Sequence, residues 1–507
     1  MKNERRFSLG IFPDKRKVLA LLFCYSFIFV ACGKNADADL PVTPPEEEPD
    51  QTKDVTMYVT TSSRSYDLNR QAVGFNPKTS MSPSTITLSP TVSYQEMDGF
   101  GVAVTGSTCF NLMEMTQADR TAFLTETFSP DKGFGFSYVR ISIGCSDFSL
   151  SEYTCCDEKG IEHFALQSEE KNYIIPILKE ILAINPSLKI MGSPWTCPRW
   201  MKVKDLTNKE ACDSWTGGRL NPDYYQDYAT YFIKWIQAFA NEGIKIYSIT
   251  PQNEPLNAGN SASLYMEWGE QKDFVKTALG PQLKAAGLDT KIYAWDHNYD
   301  GYSYALNIYG SDKGASDYFA GAAFHNYNGS SSVLDIVHRQ YPAKELIFTE
   351  ASIGEWNAGR DLNARLLADV EDLAFGAVRG WCRGVIVWNL MLDSDRGPNR
   401  GSYGGCPTCY GAVDINNTDY KTITRNSHYY MIAHLSSVVK PGAVRIGTTG
   451  YESNDIAYMA FKNTDNSYAF VIVNKQNEEK TVIVNDGKHN FNCKLPAKSV
   501  TCLLYTS

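Results

Sequence analysis

The chain has 507 residues, 43% apolar and 21% charged, with a net charge of −9 at pH 7. Those proportions belong to a globular protein large enough for two domains and exclude bulk disorder. The acidic balance argues against nucleic acid as a ligand, which calls for a basic surface. Its 30 Tyr and 9 Trp suit a carbohydrate binder, where rings stack on apolar sugar faces, but core packing accounts for aromatics equally well.

Lys2, Arg5, Arg6, Lys15, Arg16 and Lys17 lead into an apolar run, Val18 to Val30. At about 13 residues the run falls short of the ~20 that span a bilayer and matches the apolar region of an export signal. It ends in Phe29-Val30-Ala31-Cys32, which is similar to a bacterial lipobox. Residues 1–31 would then be a signal peptide and Cys32 a lipidated N-terminus; ordinary cleavage nearby is the alternative. Residues 32–54, with Pro41, Pro44, Pro45, Pro49 and Glu46-Glu47-Glu48, read as a disordered acidic tether. The expectation is an exported protein, lipid-anchored at the bacterial cell envelope on an outer-membrane face. Eleven of the 13 cysteines lie beyond Cys32, an odd number, so at least one is free or buried as a small hydrophobe. Cys406-Pro407-Thr408-Cys409 has no second C-x-x-C to complete a zinc site, so a local disulfide or no bond is expected.

From residue 55 to 96, short alternating stretches (Thr56–Thr61, Thr85–Leu88) predict strands of a minor domain. At Met97 the pattern changes to apolar strands alternating with amphipathic helices. Thr116 caps a helix to about Thr127, with Asp119 in capping-box position. Ser137–Ile143 is a strand, Lys171–Ile184 a helix, and Leu188–Ser193 the next strand. A long helix starts at Pro222 and ends at Asn241, with Gly243 terminating it. Tyr228, Tyr231, Phe232, Trp235, Ile236, Phe239 and Ala240 share one face at helical spacing and are read as core. Strand Ile246–Ile249 follows, running into Thr250-Pro251-Gln252-Asn253-Glu254. Then come a helix near Lys272–Ala286 and strands Lys291–Trp295, Phe319–Phe324 and Glu345–Thr349. Helix Asp361–Val378 and strand Gly384–Trp388 complete the series. Eight strand and helix units over about 330 residues predict a (β/α)₈ TIM barrel, here residues 97–436. Residues 437–507 carry short strands separated by Asn/Asp/Gly turns, the pattern of a β-sandwich. The strands of 55–96 lack partners of their own and are expected to join it.

In that count Glu254 closes the fourth strand and Glu350 the seventh, both on the face of the barrel where catalytic groups gather. Two carboxylates so placed are what a retaining glycosidase requires, one as a protonated acid and one as an ionised nucleophile. Either glutamate alone reads as a solvated loop residue. Arg140 lies inside a strand, where an unpaired charge is costly, so a carboxylate partner such as Glu350 is expected.

Ile249-Thr250-Pro251-Gln252-Asn253-Glu254-Pro255 and Phe348-Thr349-Glu350-Ala351-Ser352 resemble the acid/base and nucleophile motifs of glycoside hydrolase family 30, which includes lysosomal glucosylceramidase. Cys145-Ser146-Asp147-Phe148-Ser149, Gly192-Ser193-Pro194-Trp195, Phe324-His325-Asn326-Tyr327 and Trp388-Asn389-Leu390 extend the likeness in order from about 97 to 445. The exported setting and the Cys-Ser-Asp-Phe-Ser stretch look most like subfamily 3, mainly endo-β-1,6-glucanases. The resemblance implies a monomeric retaining hydrolase of β-glucan polymers or oligosaccharides, without metal or cofactor. Glu350 would be the nucleophile and Glu254 the acid/base, its pKa raised by desolvation and by the charge of Glu350. Asp147, Trp195, Asn253, His325, Tyr327 and Trp388 would bind substrate, with Asn253 on the 2-hydroxyl; a purely structural strand-end amide is the alternative for Asn253. His325 and Tyr327 could donate to Glu350 or to sugar hydroxyls. His297 is open between a substrate contact and a structural pair with Asp296. An exo-acting β-glucosidase, glucosylceramidase or β-xylosidase, and a non-catalytic glycan-binding lipoprotein, stand as alternatives.

Overall fold

A computed structural model describes residues 53–399 and 405–507. The signal peptide, Cys32 and nearly all of the tether lie outside the described residues, as does part of the loop after residue 393. Eight parallel strands close into a barrel: β1 Gly99–Ala103, β2 Tyr138–Ser142, β3 Lys189–Ser193, β4 Ser248–Ile249, β5 Lys291–Asn298, β6 Gly321–His325, β7 Glu345–Glu350 and β8 Cys382–Asn389. β8 pairs back onto β1 through Gly384–Gly99 and Val387–Val102. All eight predicted strands are present in order. Tyr138, Met191, Tyr293, Ala323, Ile347 and Ile386 point inward from six of them and fill the barrel as a packed layer.

β4 is shorter than its apolar run suggests. Its ladder contacts continue on both sides, from Tyr247 N–H to Ile190 C=O and from Thr250 N–H to Gly192 C=O. Pro251, with no N–H to offer, interrupts them, and they resume from Asn253 N–H to Pro194 C=O and from Glu254 N–H to Asp296 C=O. The preceding helix, Tyr225–Asn241, buries Tyr228, Tyr231, Phe232, Trp235, Ile236 and Phe239 as expected, and also Ala229 and Ile233. Ala240 is exposed rather than core, at the edge of a face that still buries Phe239 beside it. Trp235 lies so close to β3 that a Cβ on Gly192 would come within 2.7 Å of the indole. Only glycine lets that ring seat against the strand.

The second body is a nine-stranded sheet that curls on itself around Met57, Ile86, Leu88, Phe470, Ile472, Val484 and Leu503. The N-terminal strand Val55–Thr61 pairs antiparallel with the C-terminal strand Ser499–Tyr505, so the two ends of the described chain build one sandwich. Strand Thr85–Glu96 runs further than its alternating start implies and bridges Val444–Gly450 to Lys480–Asn485. Helix Ser427–Ser436 fastens the sandwich to the barrel. Its His434 hydrogen-bonds Thr60 Oγ1 at 2.8 Å and Cys502 Sγ at 3.2 Å, one atom on each of those terminal strands. Cys406 and Cys409 form a disulfide, while Cys109, Cys155, Cys382, Cys493 and Cys502 are buried thiols. Among the described residues no helix is long and apolar enough to cross a membrane.

Candidate active site

Glu254 follows β4 and Glu350 ends β7, and both are nearly buried, at 8% and 6% exposure. One carboxylate oxygen of each, with a ring nitrogen of His325, lie within 4.8 Å of one another. That span matches the ~5–5.5 Å between paired carboxyls in retaining glycosidases and is well short of the 6.5–9.5 Å that leaves room for a water in inverting ones.

Arg140, fully buried on β2, organises the floor beneath them. It donates to Glu350 Oε2 at 2.6 Å, Asn253 Oδ1 at 2.7 Å, Asp296 Oδ2 at 2.9 Å and Ser193 Oγ at 3.3 Å. Its guanidinium also lies 5.0 Å from the Trp195 ring and 5.5 Å from that of Trp388. Those two indoles stack on each other at 5.3 Å between centroids. A wall with Phe148 and Cys145 completes this side, and half-buried Asp147 sits between the latter two in the chain. Tyr327 donates its hydroxyl to Glu350 Oε1 at 2.9 Å, so the nucleophile candidate is held from both oxygens.

Asp296 is the residue the sequence reading missed as a site member. It is fully buried and accepts from Arg140, Thr250 Oγ1 (2.7 Å), Thr349 Oγ1 (2.7 Å), Ser193 Oγ (3.1 Å) and His325 Nε2 (2.9 Å). The Arg140 charge, with these hydrogen bonds, overcomes burial and holds its carboxyl far below the usual range. It reaches inward because β5 slips register between Trp295 and His297, with Trp295 and Asp296 at φ of 72° and 65°. A bulge that re-aims a side chain beside a site is a recurrent device. Glu254 also has a left-handed φ of 44°. Such backbone conformations persist only where surrounding contacts enforce them.

His325 reaches Glu254 and Asp296 rather than Glu350, with Nδ1 3.4 Å from Glu254 Oε1. His297 forms no hydrogen bond to Asp296; its Nε2 faces Glu254 Oε1 at 4.0 Å. Asn257 Nδ2 donates to Glu254 Oε2 at 2.7 Å, and Asn260 Nδ2 approaches the same oxygen at 3.3 Å. These contacts correct the expected charge state. Burial does push the Glu254 carboxyl up, but the hydrogen bond and charge of His325, with His297 and Asn257, outweigh it and bring it to about 2. His325, lowered by burial, is lifted by the charge of Glu350 and its bonds to Asp296 and Glu254 to about 9. The two shifts run in opposite directions across one contact, His325 Nδ1 to Glu254 Oε1, and favour the charged form of each group. Burial lowers His297 to about 4, so it is neutral. Burial likewise raises Glu350, with His325 and Arg140 pulling against it.

An eight-stranded barrel presenting two buried carboxylates one sugar's width apart defines a glycosidase of the retaining type. The chain belongs to glycosyl hydrolase family 30: the model of the family's TIM-barrel domain matches residues 97–439, and that of its beta sandwich domain matches residues 442–503. Endo-1,6-beta-D-glucanase BGN16.3 of Trichoderma harzianum is 31% identical, covering 94% of this chain and 98% of its own. Putative glucosylceramidase 4 of Caenorhabditis elegans is 28% identical over 84% of this chain and 83% of its own. Among solved structures, the endo-beta1,6-glucanase BT3312 is 66% identical with a TM-score of 0.87, over 90% of this chain and all of that one.

Proposed function

We propose that the protein hydrolyses β-1,6-glucosidic bonds within a β-1,6-glucan, retaining the anomeric configuration. The observation that carries this reading is the span of at most 4.8 Å between oxygens of Glu254 and Glu350. The endo-1,6-β-glucanase relatives at 31% and 66% identity support the linkage. Glu350, gripped by Arg140 and Tyr327, attacks the anomeric carbon and forms a glycosyl-enzyme. The proton held on His325 passes through Glu254 to the departing oxygen. Glu254, left ionised, then takes a proton from the water that hydrolyses the intermediate. Asn253 spends its carbonyl oxygen on Arg140, which turns its amide N–H groups to the 2-hydroxyl. Trp195, Trp388 and Asp147 line the innermost subsite; His297, neutral beside Glu254, takes the substrate-contact role.

Early digests of pustulan, a β-1,6-glucan, should contain a ladder of β-1,6-linked oligosaccharides, and Glu350→Gln should abolish it. Glucose as the sole early product would contradict endo action. The 28% identity to a putative glucosylceramidase favours a second, exo-acting reading. Hydrolysis of an aryl β-glucoside at rates rivalling the polymer would support that one. The basic and apolar leader ending in Ala31-Cys32 supports export and a lipid anchor. Cys32→Ser should then move the protein from the membrane to the soluble fraction, and an unchanged membrane fraction would overturn the anchor.

A further inference from the structure

The sandwich carries a second polar site, away from the carboxylates. Strands Val444–Gly450 and Ile456–Lys462 pair only through Val444–Lys462, Arg445–Phe461 and Ile446–Ala460. Beyond Ile446 the first strand shifts register onto Ser89–Ile86, while the second stays paired with Tyr468–Asn474. The facing edges from Gly447 onward and from Ile456 to Met459 therefore lack each other as partners. The gap closes where Tyr458 donates its hydroxyl to the Tyr451 carbonyl at 2.5 Å. It opens into a pocket of about 660 Å³ lined by Tyr94, Arg379, Arg445, Thr448, Ser453 and Asn454. That volume is in the usual range for small-molecule sites, about 300–1,000 Å³.

Two guanidiniums face this space. Arg445 is half-buried, held flat by the Tyr94 ring at 3.8 Å and pinned through Nε to Gln95 Oε1 at 3.0 Å. Its two Nη groups make no protein hydrogen bond among the described residues. Arg379 spends one Nη on the Tyr458 carbonyl at 3.1 Å. Neither arginine forms an ion pair among the described residues, and the nearby Glu371 is taken by Lys475 at 3.0 Å. Burial holds Arg445 down to about 10, and the charge of Arg379 adds to that. Arg445, half-buried, and the exposed Arg379 share this pocket without an ion pair among the described residues, and a neutral sugar would leave the half-buried charge unpaired. The open fork of Arg445 fits an oxyanion, and the splayed edges, apart from the Ser453–Ile456 bridge and the Tyr458 carbonyl held by Arg379, leave backbone groups for ring hydroxyls.

We propose that this pocket binds a sugar bearing an oxyanion, a carboxylate or a phosphoryl group, with Arg445 and Arg379 as its anion clamp and the splayed strand edges holding its hydroxyls. The exposed Glu452 at the rim opposes it. The test is calorimetric titration of the full chain with D-glucuronate, D-glucose 6-phosphate, inorganic phosphate and D-glucose. Binding of glucuronate or the sugar phosphate at least about tenfold tighter than glucose is expected. The tighter of the two names the anion. Arg379→Gln, on an exposed side chain, and Arg445→Gln should each weaken that binding at least about fivefold. Glu452→Gln should tighten it, and pustulan hydrolysis should be unchanged in all three. Glucose binding as well as the acids, no binding at all, or full affinity in both arginine variants would overturn the site. Inorganic phosphate binding as tightly as the sugar phosphate would overturn the sugar assignment.

Discussion

Arg140 shows why a fully charged residue can sit inside a barrel strand: four of its five N–H groups meet an oxygen of the site. Two carboxylates balance it, one in the reaction and one, Asp296, that never leaves the floor. Removing either partner of such a buried pair typically costs about 3–5 kcal/mol, because the other charge is stranded. The sequence made Glu254, Glu350 and Arg140 legible, since each is a charged residue set in or directly after an apolar strand. Asp296 was equally visible but looked like a strand-end residue, because its role comes from a bulge and two left-handed φ angles that no local pattern announces. His325 matters most for pH. It is raised from 6.5 to about 9, so the proton it holds beside Glu254 is present below that range and is lost as pH rises through it. His325→Gln deletes the imidazole that depresses Glu254, and the proton must then reside on the carboxyl. The alkaline limb of kcat/KM is expected to move down by more than about one pH unit, toward the range of a buried glutamic acid. An unmoved limb would show that His325 holds no part of the catalytic proton.

At the level of elements, the barrel was readable because each strand is an apolar run punctuated by a helix of clear amphipathic period. Boundaries shifted at the start of β4, which begins at Ser248 rather than Ile246, and at the end of β5, which runs on through its bulge to Asn298. The sandwich was less readable. Strands Asn69–Val73 and Val444–Gly450 escaped notice because their exposed or mixed faces blur the alternation, whereas Asn490–Leu495, equally unnoticed, alternates clearly at Phe491, Cys493 and Leu495 and was legible. Helix Ser427–Ser436 is buried along its whole length, which marks it as the joint between the two bodies. Burial holds His434 of this helix down to about 3, well below its ordinary 6.5, so at neutral pH it is uncharged. Its contribution is therefore complete above about pH 6.5 and is lost as pH falls toward 3, where the unfolded chain binds the extra proton. His434→Ala removes the ring that joins Thr60 to Cys502, leaving Thr60 Oγ1 only its bond from Leu68 N–H, and should destabilise by about 1–3 kcal/mol. Thermal unfolding at pH 7 measures this, with kcat at 25 °C expected to stay near wild type. An unchanged melting temperature would mean the sandwich is held by other contacts.

For the whole molecule, the two ends of the described chain meet in one sheet while the barrel closes between them, and helix Ser427–Ser436 joins that sheet to the barrel. The central claim is that Glu254 and Glu350 act on one sugar from opposite sides, in two displacements. Proton NMR of freshly released reducing ends, recorded during β-1,6-glucan hydrolysis before mutarotation, reads the stereochemistry directly. The β-anomer should appear first and the α-anomer only as mutarotation proceeds. Initial release of the α-anomer would mean a single displacement by water, and the 4.8 Å arrangement of these carboxylates would not be the catalytic one.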